Sequence, residues 1–461
     1  MSFLKKISAP HERDMTSGSP MKHILMFFFP LLAGNVFQQL YSLVDSVVVG
    51  RGLGGDALAA VGSTGSLSFL IIGFAQGLTA GFGVNIAIEF GAKNKEGLRK
   101  VAANSFILTA GIAAAFTVIS LIVMRPLLVL MKTDPQVLDD AVNYIRIIFA
   151  GITVMMAYNI FSSFLRALGD SRTPFVAIII ASLINIVLDL LLVLVFHMGV
   201  AGAAIATVFA QLCSCLFCMR AVAKHGIIHM NREFFKFDGK LSWNLIKIGI
   251  PVAFMSSITA IGCIIVQAFV NAFGKLYMSA FAAISKIINL SMQPGNTIGT
   301  SVSTFVSQNL GAGRIDRVRK GVRSASLISL VLHLIVFSLM FFIPRQLIGI
   351  MVTEKEIIDL TPTYLRMCGC FVFVVGELFV IRSSCMGLKR TLVPMFSGML
   401  ELALRVTALL LFRVSLGFTA VPIAECAAWT GAMLLNLVDY LVGVKKLSKC
   451  PVETQAGSAL S

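Results

Sequence analysis

Charge is scarce in this chain. Lys, Arg, Asp and Glu make up 13% of its 461 residues, where a soluble domain carries about 25%. With 57% of residues in the set AVILMFWYC, a single water-exposed domain would have too little polar surface to stay dispersed. The mean hydropathy of +0.89 agrees. A soluble globular protein is excluded. Spaced cysteine pairs are lacking too: the nine cysteines lie mostly inside apolar stretches, which excludes a disulfide framework. Cys213, Cys215 and Cys218 are close enough to suggest a metal site, but small residues suit helix packing in lipid, and packing is preferred. No G-x-x-x-x-G-K-[ST] occurs, so nothing points to a nucleotide-driven pump. Gly50, Gly52 and Gly55 satisfy G-x-G-x-x-G, yet they join two apolar stretches rather than a strand and a helix, a tight turn or a chance match. No nucleophile–base set stands in the loops, so an enzyme is not expected. No cleavable leader is expected either, because the first apolar run follows a polar, basic stretch of about twenty residues.

What is present is a series of long apolar runs. They lie near 24–49, 57–89, 101–130, 144–165, 174–196 and 200–222, then near 247–271, 278–310, 320–343, 362–385, 392–414 and 418–443. A transmembrane helix needs about 20 apolar residues, and lipid offers the backbone of such a run no other partner. The short alternating segments of a membrane barrel are absent. The expected fold is an all-α integral membrane protein with twelve transmembrane helices in two six-helix lobes. Its boundaries are a polar basic segment at 1–22, an N-lobe at 23–223, a basic connector at 224–246, a C-lobe at 247–446 and a polar tail at 447–461.

The surplus of basic residues orients these spans. The formal net charge is +16, a balance that in a soluble protein would suggest nucleic acid. In a membrane protein it marks cytoplasmic loops, and no nucleic-acid partner is expected. With both termini inside, 27 Lys and Arg fall in inside segments and nine outside, while Lys286 and Arg405 sit within spans. The inside set includes Lys5, Lys6, Arg13, Lys22, Arg166, Arg232, Arg314, Arg317 and Arg382. A threefold bias supports both the count and a multi-pass location in the cell membrane.

The chain also repeats itself at an offset of 220 residues. TDPQVLDDAVNYIRI from Thr133 is answered by TEKEIIDLTPTYLRM from Thr353, and Gly91 to Lys100 by Gly311 to Lys320. Pro174 answers Pro394, and Pro30 answers Pro251 at 221. Six helices per period is an even number, so the halves are parallel repeats about a central cleft, the arrangement used for alternating access. A secondary transporter driven by an ion gradient is the expectation.

Ionisable residues inside spans are costly and normally face a cavity or a partner. In the first half these are Asp45 and Asp189. Gln38, Tyr41 and Ser42 share a helical face with Asp45, and Asn185 lies one turn before Asp189. Thr207 on the sixth span could add a hydroxyl. Two carboxylates, an amide oxygen and a hydroxyl are hard ligands suited to a proton or a small hard cation such as Na+, and neighbouring carboxylates titrate as a pair. The alternative is that Asp45 is simply hydrated at a helix end. Pro30, fifteen residues before Asp45, removes a backbone bond and marks a kink, a candidate hinge.

YSLVDSVVVGRGLGGDALAAVG (Tyr41–Gly62), FLRALGDSRTP (Phe164–Pro174), NIVLDLLL (Asn185–Leu192) and GVAGAAIATVFAQ (Gly199–Gln211), with GAKNKEGLRK and its echo, resemble the multidrug and toxic compound extrusion (MATE) transporters over roughly 21–446. They look closest to the prokaryotic branch whose ion site lies in the N-lobe. The resemblance implies that Asp45, Asn185, Asp189 and Thr207 form a proton or sodium site, that the first span bends near Pro30, and that amphipathic, often cationic drugs are expelled by antiport. The coupling ion, H+ or Na+, would be the only bound cofactor-like species. Partners would be small-molecule drugs or toxic metabolites and the lipid bilayer, with the chain acting as a monomer. Another branch uses acids on spans 7 and 10. Here span 7 offers Gln267 and Asn271 and span 10 offers Glu377, which makes a complete C-lobe site doubtful. Glu401 and Arg405 are spaced for an internal ion pair, structural or cavity-lining, and Lys286 could snorkel or reach Glu377. Met155, Met156, Phe161, Phe164, Met255 and Met292 are cavity candidates by position. Two other readings stay open: a flippase of lipid-linked precursors from the same superfamily, and a major facilitator type transporter.

Overall fold

The computed structural model describes residues 12–131, 133–225 and 236–449. Lys5, Lys6, Lys132 and Arg232 lie outside the described residues, as does the tail beyond Lys449. Among the described residues the chain is helical with no strand. The first half has α1 (Pro20–Leu53), α2 (Gly55–Gly91), α3 (Lys95–Leu130), α4 (Pro135–Ala150), α5 (Ile152–Ala167), α6 (Arg172–Asp189), a π-helical turn (Leu190–Val195) and α7 (Gly199–Lys224). The second has α8 (Gly239–Asn271), α9 (Lys275–Gly311), α10 (Ile315–Phe342), α11 (Pro344–Gly349), α12 (Lys355–Gly387), α13 (Leu392–Leu416) and α14 (Ala420–Leu447).

Among the described residues nine stretches are long and apolar enough to cross a membrane, and one of these, Leu392–Leu447, contains both α13 and α14. A tenth forms when α4 and α5 are taken as one span bent by 44°. α9 falls short on apolarity because Ser, Thr, Asn and Gln recur along it. Every expected apolar run is nonetheless occupied by one of these helices or by a bent pair. The bend between α4 and α5 was not expected from 144–165. It falls at Gly151, where a Cβ would come 2.6 Å from a methyl of Val208 on α7; the absent side chain lets the two backbones close up. The fifth run also differs, since its α-helix ends at Asp189 and continues as the wider π turn.

Two compact units divide the described chain. One holds residues 12–14 and Phe29–Ile250, the other Met15–Phe28 and Pro251 onward. Of the three divisions, one precedes α1 and two fall within helices, beside Pro30 in α1 and at Pro251 in α8. In the first unit α6 packs on α7, and α5 on α2 and α7; in the second α12 packs on α9, α10 and α14, and α13 on α14. Phe82, Phe149 and Phe164 are fully buried in the first, Phe305 in the second.

The repeat reaches the backbone. Positive φ occurs at Gly54 and Gly274 (95° and 94°), Lys93 and Gly313 (57° and 67°), Gly169 and Lys389 (83° and 61°), and His197 and Gly417 (52° and 54°). Each pair is separated by 220 residues. The connections therefore recur in conformation even where their residue types differ.

Some cations assigned above to loops have structural work instead. Arg382 is buried inside α12 and pairs with Glu401 at 2.9 Å. It is not a loop charge. Arg166 ends α5 and donates to Ser162 and Ser163 at 2.7 and 2.9 Å. Arg317 donates to the carbonyls of Met15, Ser17 and Gly18, and Arg314 to that of Thr16.

Candidate functional site

The first unit contains a partly open pocket lined by residues of α1, α5, α6 and α7. Its polar walls follow from helical spacing. On α1, Gln38 and Tyr41 are three apart; on α7, Thr207, Gln211 and Ser214 recur at four and three. Asn185 comes from α6 and Tyr158 from α5, with Ile178, Ala181 and Ala210 supplying the apolar surface. Among the described residues no lysine or arginine lines it. The Asn185 amide nitrogen faces the Thr207 hydroxyl at 3.5 Å, and the Tyr41 hydroxyl engages Gln38.

Asp45 and Asp189 lie one turn beyond Tyr41 and Asn185 on the same two helices. Asp189 is fully buried, and Asn185 is 1% exposed. The Asp45 and Asp189 carboxyls are neighbours across α1 and α6. Asp45 Oδ1, both Asp189 carboxylate oxygens, Asn185 Oδ1 and Gln211 Oε1 are buried with no hydrogen-bond partner among the described residues. A buried acceptor without a donor costs about 1–3 kcal/mol, more when charged, so these oxygens need a partner, which water, a proton or a cation can supply. Beyond it, Val48, Val49, Ala57, Val193, Val200 and Ala203 form an apolar cluster joined by Val44 and Tyr144. The π turn contributes Val193 to that cluster and begins directly after Asp189. π turns often mark functional positions.

Other sequence candidates are placed differently. Ser42 is exposed and lines no part of the cavity. Met155, Met156, Phe161 and Phe164 also stay outside its lining; Phe161 and Phe164 pack on Phe106. Tyr158, Gln211 and Ser214 are additions that sequence reasoning missed, although the spacing of the last two from Thr207 was a readable signal.

In the second unit Gln267 donates to Asn271 at 2.8 Å on an exposed face. Glu377 accepts from Ser326 at 2.7 Å, and Lys286 is exposed with no ion pair among the described residues. Glu401 and Arg405 do pair, at 3.2 Å, within a larger set: Arg382 reaches Glu401 at 2.9 Å and Arg405 reaches Glu425 at 2.8 Å. Gly262 leaves the room that the Arg405 guanidinium fills. Met255 packs against Gly398, and Met292 packs against the apolar core of this unit. The three α7 cysteines are free thiols, Cys215 and Cys218 buried, and no group of metal-ligating side chains forms among the described residues.

Known proteins are similar to this chain over most of its length. The chain is 30% identical over 374 residues, 79% of its length and 81% of the relative's, to a probable multidrug resistance protein, YoeA, of Bacillus subtilis. It is 24% identical to the probable multidrug resistance protein NorM of Thermotoga maritima, over 81% of each chain. A FAD transporter of Shewanella oneidensis is 24% identical over 88% of this chain and 90% of that one. Among solved structures, a MOP superfamily transporter from Pyrococcus furiosus superposes with a TM-score of 0.89 at 22% identity, covering 95% of this chain and 98% of the other. An outward-facing multidrug resistance MATE family transporter gives 0.88 at 23%, with the same coverage. The MatE family model matches residues 30–191 and 251–411, one block in each repeat. The chain is a multi-pass membrane protein that belongs to the MatE family, the multidrug and toxic compound extrusion transporters.

Proposed function

We propose that this chain is a secondary active antiporter that exports amphipathic, often cationic small molecules in exchange for H+ or Na+ by alternating access. The observation that carries the reading is the set of unpartnered buried oxygens on Asp45, Asp189 and Asn185. In this reading Asp45, Asn185, Asp189 and Thr207 hold the coupling ion, and Gln38 and Tyr41 line the adjoining drug cavity. The N-lobe, residues 23–223, does the coupling, and in the C-lobe, residues 247–446, Glu401 and Glu425 are held by arginines. Pro30 is the hinge through which α1 responds to ion occupancy. The protein works as a monomer in the cell membrane with both termini cytoplasmic. The FAD transporter among the relatives is named for an anionic cargo. A cavity with no basic side chain beside two acids favours cations instead.

Reconstituted protein tests this directly. Wild type should expel a lipophilic cation under an imposed ion gradient, and Asp45→Asn or Asp189→Asn should reach the membrane folded yet lose that transport. Wild-type rates in either variant would overturn the assignment. A sodium gradient without a pH gradient, and then the reverse, separates the two coupling ions.

A further inference from the structure

Of the two tryptophans in the chain, Trp429 is 3% exposed and Trp243 58%. Trp243 lies in the second turn of α8. The start of that helix is fixed in orientation by its inner face. Asp238 Oδ1 accepts from the backbone N–H groups of Lys240 and Leu241 at 2.9 and 3.0 Å. Asn104 on α3 accepts from Asp238 N–H and from the Ser242 hydroxyl at 2.9 and 3.1 Å. Leu245, Ile248 and Gly249 are buried beyond it. Lys240, Trp243 and Lys247 are spaced three and four apart, so they share the opposite face, and all three are exposed. The Lys247 ammonium sits 5.9 Å from the Trp243 ring centroid. Lys236 and Phe237, the latter 62% exposed, stand just ahead of this face.

Among the described residues the nearby acids are engaged away from these cations. The Asp238 carboxylate caps the helix, and Glu96 pairs with Lys100 at 2.6 Å. Lys236, Lys240 and Lys247 make no ion pair among the described residues. Length puts the face at the lipid boundary. α8 has 33 residues, about 50 Å of helix, against a hydrocarbon core of about 30 Å. Its first turns therefore stand in the headgroup layer, where tryptophan rings settle and lysines meet phosphates.

We propose that this face binds the headgroup of an anionic phospholipid, with the phosphate held between Lys240 and Lys247 and the Trp243 ring against the glycerol region. A zwitterionic lipid carries its own cation over the phosphate and gains less from the two lysines. The inference is independent of the ion site, because none of these residues lines the cavity.

Brominated lipids quench a tryptophan they touch. With Trp429→Phe as background, the full chain in mixed micelles is titrated with brominated phosphatidylglycerol and brominated phosphatidylcholine, and Trp243 emission is read. Each interfacial lysine contributes about fivefold, so the expected preference for phosphatidylglycerol is about 25-fold. It should shrink to near parity in Lys240→Gln/Lys247→Gln and persist in Lys240→Arg/Lys247→Arg, and free glycerol phosphate at millimolar concentration should not compete. Equal quenching by both lipids in the parent would overturn the proposal. So would a preference retained by the Gln pair or lost by the Arg pair, or displacement by glycerol phosphate. Should the Trp429→Phe background not fold, lipid retention by the otherwise unaltered chain in native mass spectrometry reads the same ratio.

Discussion

In the first repeat Asn185 occupies a wall of α6 beside two carboxylates, of which Asp45 Oδ1 and both Asp189 oxygens have no partner among the described residues. In the second repeat the residue 220 positions on is Arg405, whose guanidinium lies between Glu401 and Glu425. Ala181, a cavity wall in the first lobe, corresponds to Glu401 in the second. The same helical frame thus holds acids with no basic partner among the described residues in one lobe and acids paired with arginines in the other. Arg382 completes the second set, giving two cations and two carboxylates in a buried, neutral group. The lesson is about exchange. A cation covalently tied to the chain cannot leave, so an acid pair filled by arginine serves stability, while an acid pair left open can bind and release an ion.

The largest effect that would break this contrast is on transport. Asp189→Asn should bring gradient-driven efflux down to the level of empty liposomes with little change in melting temperature, whereas Glu401→Gln should leave the folded fraction coupled. Coupling lost in Glu401→Gln with stability intact would place the exchanging site in the second lobe too. Next comes stability. Arg405→Met leaves two buried carboxylates short of a partner and should destabilise by about 3–5 kcal/mol, read as a lowered melting temperature in detergent. Replacing the group as a whole by apolar residues of similar volume should recover much of that loss, since a buried ion pair is often no better than good packing.

A smaller test addresses the repeat itself. Gly54 and Gly274 adopt φ of 95° and 94° with ψ of −179° and 177°, a region essentially reserved for glycine. Alanine at either position should cost about 1–3 kcal/mol, and the two losses should match. Unequal losses, measured by thermal unfolding, would mean that the lobes carry different strain at equivalent turns. The smallest effect is expected at Lys286. It is exposed and makes no ion pair among the described residues, so Lys286→Gln should shift stability by less than about 0.5 kcal/mol; a larger loss would reveal a partner for it.

Much of the architecture was legible before any coordinates. Apolar runs of membrane length, spaced by basic breaks, mark the helices because a lipid-embedded backbone must bond to itself. The offset of 220 residues was legible because homologous turns keep their punctuation. Asp45 and Asp189 were legible because charge is so rare in spans that each instance stands out. The bend at Gly151 was not, because it depends on Val208 approaching from α7, which no local pattern encodes. The π turn after Asp189 reads as unbroken apolar sequence. Arg382 passed for a loop cation because its partner Glu401 lies nineteen residues away on another helix.

Sequence alone therefore determined that this is a two-repeat bundle of membrane helices and which carboxylates in the first lobe to test. Periodicity, apolar length and the cost of charge in lipid act locally or along one helix. Whether an acid is open or already paired was decided only by tertiary structure. The pairing of Glu401 and Glu425 with Arg405, and the want of any such partner at Asp189 among the described residues, depend on which helices face each other inside each lobe.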